Sequence, residues 1–273
     1  HTHGFRRIAM LPTAPTHVTD AIRGKVCLVT GASRTLGAVI ARRLAAHGGH
    51  IAVNYLHAQE AARTLCHELT ACGGVARPIQ ADVREPDQLA QLVTETVTHL
   101  GPIDILVNTV GPYLDTPFLE LAVADFDQIL AGNLRATFLL CQAVGRRMKA
   151  QGQGHIINLA ATDSRHRSHS VYGLAKSGVV YLTEALALEV APEVHINAIA
   201  PDLIADNEAM APTVVQQALA GTPLGRLVTR GEIADLVCLL CSPAFASMTG
   251  QTLVLDGGRS LPRIAVGLPR VEE

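Results

Sequence analysis

A tyrosine and a lysine stand four residues apart in Val171-Tyr172-Gly173-Leu174-Ala175-Lys176. Four residues is about one helical turn, so on a helix both side chains leave from one face. A free tyrosine titrates near pH ~10 and gives up its proton reluctantly. An ammonium group one turn away favours the phenolate and lowers that value. Such a tyrosine can hand a proton to a carbonyl oxygen or take one from an alcohol. A half-buried tyrosine near a surface lysine would produce the same spacing, so the context has to come from the rest of the chain.

The elements that could position the pair alternate regularly. Short apolar, β-branched runs predict strands at 26–30, 51–55, 76–80, 105–108, 156–159, 196–199 and 253–255. Helical patterns fall between them at 36–47, 58–71, 86–100, 124–151, 171–190, 213–220 and 230–240. Strands this uniformly apolar are covered on both faces. Alternating β and α segments predict an α/β fold: one doubly wound, Rossmann-type parallel sheet of seven strands, with helices on both faces. Residues 25–261 are read as that single domain, residues 1–24 as a flexible arm, and residues 262–273 as a surface tail.

At 273 residues the chain is long enough for one large core. A formal net charge of −2 gives no basic field for nucleic acid or an anionic membrane. No apolar run approaches the ~20 residues of a membrane span. The six cysteines lie mostly in apolar contexts. Cys238 and Cys241 form a C-x-x-C inside a helical stretch that reads as buried, so they are expected as core residues rather than a redox or metal pair. The set suits a reducing cytoplasm. His166 and His169 have no carboxylate or cysteine spaced to complete a metal site, and none is expected.

The first strand runs into Thr30-Gly31-Ala32-Ser33-Arg34-Thr35-Leu36-Gly37, and a helix follows. Gly31 permits a tight turn, Gly37 permits close helix–strand packing, and the helix N-terminus would face a pyrophosphate. The pattern resembles T-G-x-x-x-G-x-G, the cofactor fingerprint of the classical short-chain dehydrogenase/reductases, with Thr35 in place of the middle glycine. Other landmarks follow in order: Asp82 and Val83 after the third strand, Asn108-Thr109-Val110-Gly111 after the fourth, Asn133, the Tyr172/Lys176 pair, Thr249-Gly250-Gln251 and Asp256-Gly257-Gly258. The resemblance spans nearly the whole chain from Lys25 to Leu261.

The resemblance implies a nicotinamide cofactor held by Gly31, Ser33, Arg34, Thr35, Leu36, Gly37, Asn54, Tyr55, Asp82, Val83, Asn108, Val110, Gly111, Pro201 and Leu203, together with Tyr172 and Lys176. Val53-Asn54-Tyr55 ends the second strand without the acid that would bind free ribose hydroxyls, and Arg34 stands ready for a 2′-phosphate. Both features favour NADPH/NADP+. The family's catalytic set maps to Tyr172 as acid/base, Lys176 as its modulator, and Asn133 as anchor of a water relay. Its catalytic serine falls on Ala161, which cannot donate a hydrogen bond. Thr162, Asp163 or Ser164 could substitute. Pro201-Asp202 stands where the family has Pro-Gly, and 202–227 corresponds to its variable substrate lid.

A weaker similarity links the chain to the pteridine reductase and dihydromonapterin reductase branch, which often replaces the serine with aspartate. The basic loop 164–170 should border the substrate mouth. The expected activity is NADPH-dependent reduction of a small or oxoacyl-type ketone, with a pterin C=N as the alternative substrate. An NADPH-binding protein with catalysis weakened at Ala161 is the non-enzymatic alternative. The family implies a small-molecule substrate and a homotetramer or homodimer built on the helices at 124–151 and 171–190 and on the last strand.

Overall fold

The structure is a computed structural model and describes residues 18–162, 170–207 and 210–261. Seven strands form one sheet: β1 Val26–Val29, β2 His50–Tyr55, β3 Val75–Gln80, β4 Ile103–Asn108, β5 Gly154–Leu159, β6 Val194–Pro201 and β7 Thr252–Leu255. Their order is β3-β2-β1-β4-β5-β6-β7, and every pairing is parallel. The doubly wound sheet expected from the alternating pattern is therefore present. Between and before the strands lie α1 Val18–Ile22, α2 Thr35–Ala46, α3 Gln59–Ala71, α4 Pro86–Leu100, α5 Val123–Leu130, α6 Ala136–Gln151, α7 Val171–Val190, α8 Pro212–Ala220 and α9 Arg230–Leu240.

The sheet separates two cores, and β1 shows why a continuous apolar strand was needed. Cys27 and Val29 face the core shared with α2, α3 and α9, while Val26 and Leu28 face the one under α4 and α6. The strand period of two thus feeds both faces at once. Strand order reverses at β1, where β2 lies on one side and β4 on the other. Loops leaving the C-terminal ends of β1 and β4 consequently diverge and leave a crevice, where open α/β sheets bind ligands.

Two elements differ from expectation. The helix predicted over 124–151 is interrupted by five residues of π-helix, Ala131–Arg135, between α5 and α6. Residues 18–24, read as part of a loose arm, belong to the domain. Ile22 of α1 is fully buried, and Thr19 Oγ1 hydrogen-bonds His47 Nδ1 at 2.9 Å. A short segment with one strongly apolar anchor has too little periodicity to be read as helix. The expected arm residues 1–17 and tail residues 262–273 lie outside the described residues. Among the described residues no helix is long and apolar enough to cross a membrane.

Candidate active site

The glycine turn after β1 is where a dinucleotide can be tested against the geometry. Gly37 packs so tightly that a Cβ there would lie 2.5 Å from Gly31 O, so only glycine lets α2 close onto the turn. Thr35, at the expected middle-glycine position, has φ 49°. A β-branched residue adopts this left-handed conformation only where its surroundings hold it there. Arg34 is the N-cap of α2, and its side chain makes no capping hydrogen bond. The first N–H groups of α2 consequently face outward with no side-chain acceptor from the cap. Backbone donors and a positive helix end facing a cleft form a cradle for an anion. The residues present fit a dinucleotide pyrophosphate.

One cleft beside the turn is lined by Ser33, Arg34, Thr35, Tyr55 and His57. No carboxylate lines it among the described residues. A second cleft, toward the end of β3, is lined by Asp82, Val83, Arg84, Val110 and again His57. His57 and Arg84 escaped the sequence reading because no motif marks them; their positions just beyond β2 and β3 are the only signal. Leu36 packs against the core on the α2 side.

Several of the expected cofactor residues are engaged within the protein, Asn54 and Asp82 among them. Asn54 is 2% exposed. Its Oδ1 accepts from Gly31 N at 3.2 Å, and its Nδ2 donates to Ala81 O at 3.1 Å. It ties the glycine turn to the end of β3, a positioning task, while lining the cleft from below. The carboxylate of Asp82 is gripped by the Arg84 guanidinium, with Nε to Oδ1 at 3.0 Å and Nη2 to Oδ2 at 2.6 Å. Those hydrogen bonds hold the Asp82 carboxyl below its ordinary value. Asp82, expected among the cofactor residues, thus presents itself as half of an ion pair.

The catalytic candidates converge at the C-terminal ends of β4, β5 and β6. Tyr172 opens α7, whose N-cap Ser170 accepts from Gly173 N at 3.1 Å. This cap anchors the turn that carries Tyr172. Lys176 follows one turn later and is 5% exposed. Its Nζ donates to Leu159 O at 2.8 Å and lies 5.5 Å from the centre of the Tyr172 ring. Burial pushes the Lys176 ammonium down to about 8. The Tyr113 ring meets that of Tyr172 edge-on, with centroids 5.0 Å apart.

Asn133 occupies the middle of the π-helical turn, where the extra residue swings its side chain away from the register of α5 and α6. Its Nδ2 donates to Pro112 O at 2.9 Å and Ile129 O at 3.1 Å, while its buried Oδ1 has no hydrogen-bond partner among the described residues. A Cβ on Gly111 would come within 1.9 Å of that Oδ1, so the loop after β4 can pass only as glycine. Asn108 is turned into the core, with Nδ2 donating to Asn158 Oδ1 at 2.8 Å.

Ala161 lines the same cleft as Tyr172, together with Thr162, Pro201, Asp202 and Leu203. Thr162 Oγ1 donates to Asp202 Oδ1 at 3.0 Å, so its proton is directed at that carboxylate. Asp202 Oδ2 accepts from Arg259 at 2.8 Å. This ion pair went unnoticed in the sequence because its members lie far apart in the chain. Asp163, Ser164 and the rest of the basic loop through His169 lie outside the described residues.

An anion cradle and a tyrosine–lysine pair on the same edge of a parallel sheet define the nucleotide-dependent oxidoreductases of Rossmann type. Comparison with known proteins narrows the class. A family model described as enoyl-(acyl carrier protein) reductase matches residues 31–260. The chain is 36% identical over 243 residues to a 3-oxoacyl-[acyl-carrier-protein] reductase of Synechocystis sp., covering 87% of this chain and 98% of that one. Among solved structures, a blue fluorescent protein from a metagenomic library, in complex with NADPH, superposes with a TM-score of 0.81 at 34% identity, covering 88% of this chain and 99% of that one. A 7α-hydroxysteroid dehydrogenase complexed with NADH superposes at 0.83 with 30% identity, covering 88% and 96%. The chain belongs to the short-chain dehydrogenase/reductase family and is an oxidoreductase of that family.

Proposed function

We propose that the protein reduces a ketone with NADPH, with Tyr172 as the proton donor. The observation that carries this reading is the burial of Lys176 one turn below Tyr172, at the cleft that also holds Ala161. When bound, the nicotinamide supplies a hydride to the carbonyl carbon. The chain's own part is to orient the carbonyl oxygen at the Tyr172 hydroxyl and deliver a proton there as negative charge develops. The Lys176 ammonium stabilises the tyrosinate left behind. Asn133 holds the loop after β4 against the π-helical turn, and its unpaired Oδ1 offers an acceptor to a relay water.

Arg34, the absence of a carboxylate from the cleft beside it among the described residues, and His57 at the same cleft support NADPH over NADH. The oxoacyl relatives support a ketone as substrate. A homo-oligomer is part of the same reading. Leu174, Tyr181 and Leu188 recur every seventh residue of α7 and are 49%, 74% and 86% exposed. A repeat of two turns places them on one apolar stripe, suited to a second copy.

The test is Tyr172→Phe. NADPH consumption with an oxoacyl thioester or a β-keto ester is expected to fall at least about a hundredfold, the contribution of a positioned general acid. NADPH binding, followed by its fluorescence, is expected to persist. Wild-type-like turnover in the variant would remove Tyr172 from the chemistry.

A further inference from the structure

The substrate cleft contains an ion pair that the reduction does not require. Three strand ends deliver it: Thr162 follows β5, Asp202 follows β6 and Arg259 follows β7. The Asp202 side chain is 9% exposed and that of Arg259 is 17% exposed. Both groups are largely stripped of water before any substrate arrives, and a buried ion pair is tolerated only when further hydrogen bonds satisfy it. Thr162 supplies one, to Oδ1, beside the pair's own contact from Arg259 to Oδ2. A carboxylate offers about four acceptor sites, so Asp202 retains acceptor capacity facing a cleft whose other walls include Tyr113, Ala161, Tyr172, Leu203 and Asn207.

We propose that Asp202, braced by Thr162 and Arg259, is a specificity-determining residue that selects a hydroxylated ketone over its deoxy counterpart. This deepens the reading of the cleft as a ketone site and rests on it. An alkyl chain laid over Asp202 would exclude its last water and return no hydrogen bond, which is costly for a charged acceptor. A substrate hydroxyl would donate to the carboxylate in place of that water. Sites built to hydrogen-bond a substrate hydroxyl reject the analogue that lacks it far more strongly than apolar pockets reject a missing methylene.

The experiment follows NADPH consumption by the full chain on matched pairs: acetoin against butanone, and a γ-hydroxy-β-keto ester against its parent ester. Wild type is expected to favour the hydroxylated member by about tenfold or more in kcat/KM. Asp202→Asn should shrink that ratio. The double variant Asp202→Leu with Arg259→Met, which removes both members of the pair, should bring it near one or reverse it. NADPH fluorescence reports folding and cofactor binding in each protein. Equal rates for both members in wild type would overturn the inference, as would a preference that survives in variants still binding NADPH. Loss of NADPH binding in both variants would overturn it too and assign the pair to the cofactor pocket. Wild type that binds NADPH but reduces no ketone, oxoacyl thioester included, would instead defeat the ketone reading beneath it.

Discussion

At the scale of residues, the site is built around one missing donor and one buried cation. Ala161 faces the cleft without a hydroxyl, and Thr162 beside it turns its proton to Asp202. Ala161→Ser is therefore expected to raise kcat by on the order of tenfold or more, since single oxyanion donors elsewhere carry ~10²–10³. An unchanged kcat would mean that another group already fills the role. Lys176 makes the pH behaviour specific. Its folded value is about 8 against 10.5 when exposed. Between those limits the unfolded chain holds a proton that the folded chain does not, so this group makes stability rise with pH across the window. The full contribution is about 3 kcal/mol at ~1.4 kcal/mol per unit. Denaturant unfolding of Lys176→Met across pH 7.5 to about 10.5 should lack that rise. In wild type, kcat/KM for reduction should decline as pH passes about 8, where the ammonium is lost. The Tyr172/Lys176 pair was legible because helical spacing converts directly into proximity. The Thr162–Asp202–Arg259 cluster was not, because nothing in a linear pattern reports which strand ends meet.

Among elements, the start of α2 carries backbone strain. Thr35 at φ 49° costs about 1–3 kcal/mol that a glycine would avoid. Thr35→Gly is expected to stabilise the protein by about 1 kcal/mol after the entropy cost of glycine is deducted. A melting temperature that falls instead would show that the Thr35 side chain returns more than its backbone costs. The strands and most helices were legible because apolar β-branched runs and amphipathic spacing are local properties of the chain. The π-helical turn at Ala131–Arg135 was hidden for the opposite reason. One inserted residue shifts the phase of a helix without disturbing its composition, so 124–151 reads as one continuous helix. Asn133 was recognisable as a landmark, yet its placement against Gly111 depends on that shift.

For the whole molecule, the apolar stripe on α7 predicts self-association. Tyr181→Arg, at a position 74% exposed, should shift the protein to a smaller species in sedimentation while NADPH still binds. An unchanged sedimentation coefficient would place the interface elsewhere. The distribution of the two clefts along the chain has a further consequence, for biosynthesis. The clefts beside the glycine turn draw their lining from Gly31 through Gly132, whereas the cleft beside Tyr172 is closed by Arg259. A chain emerging from a ribosome thus completes the lining of the clefts beside the glycine turn before the residues that close the cleft around Tyr172 are made. On the reading proposed above, a chain cut short before Arg259 would forfeit discrimination while keeping the lining of the clefts beside the glycine turn.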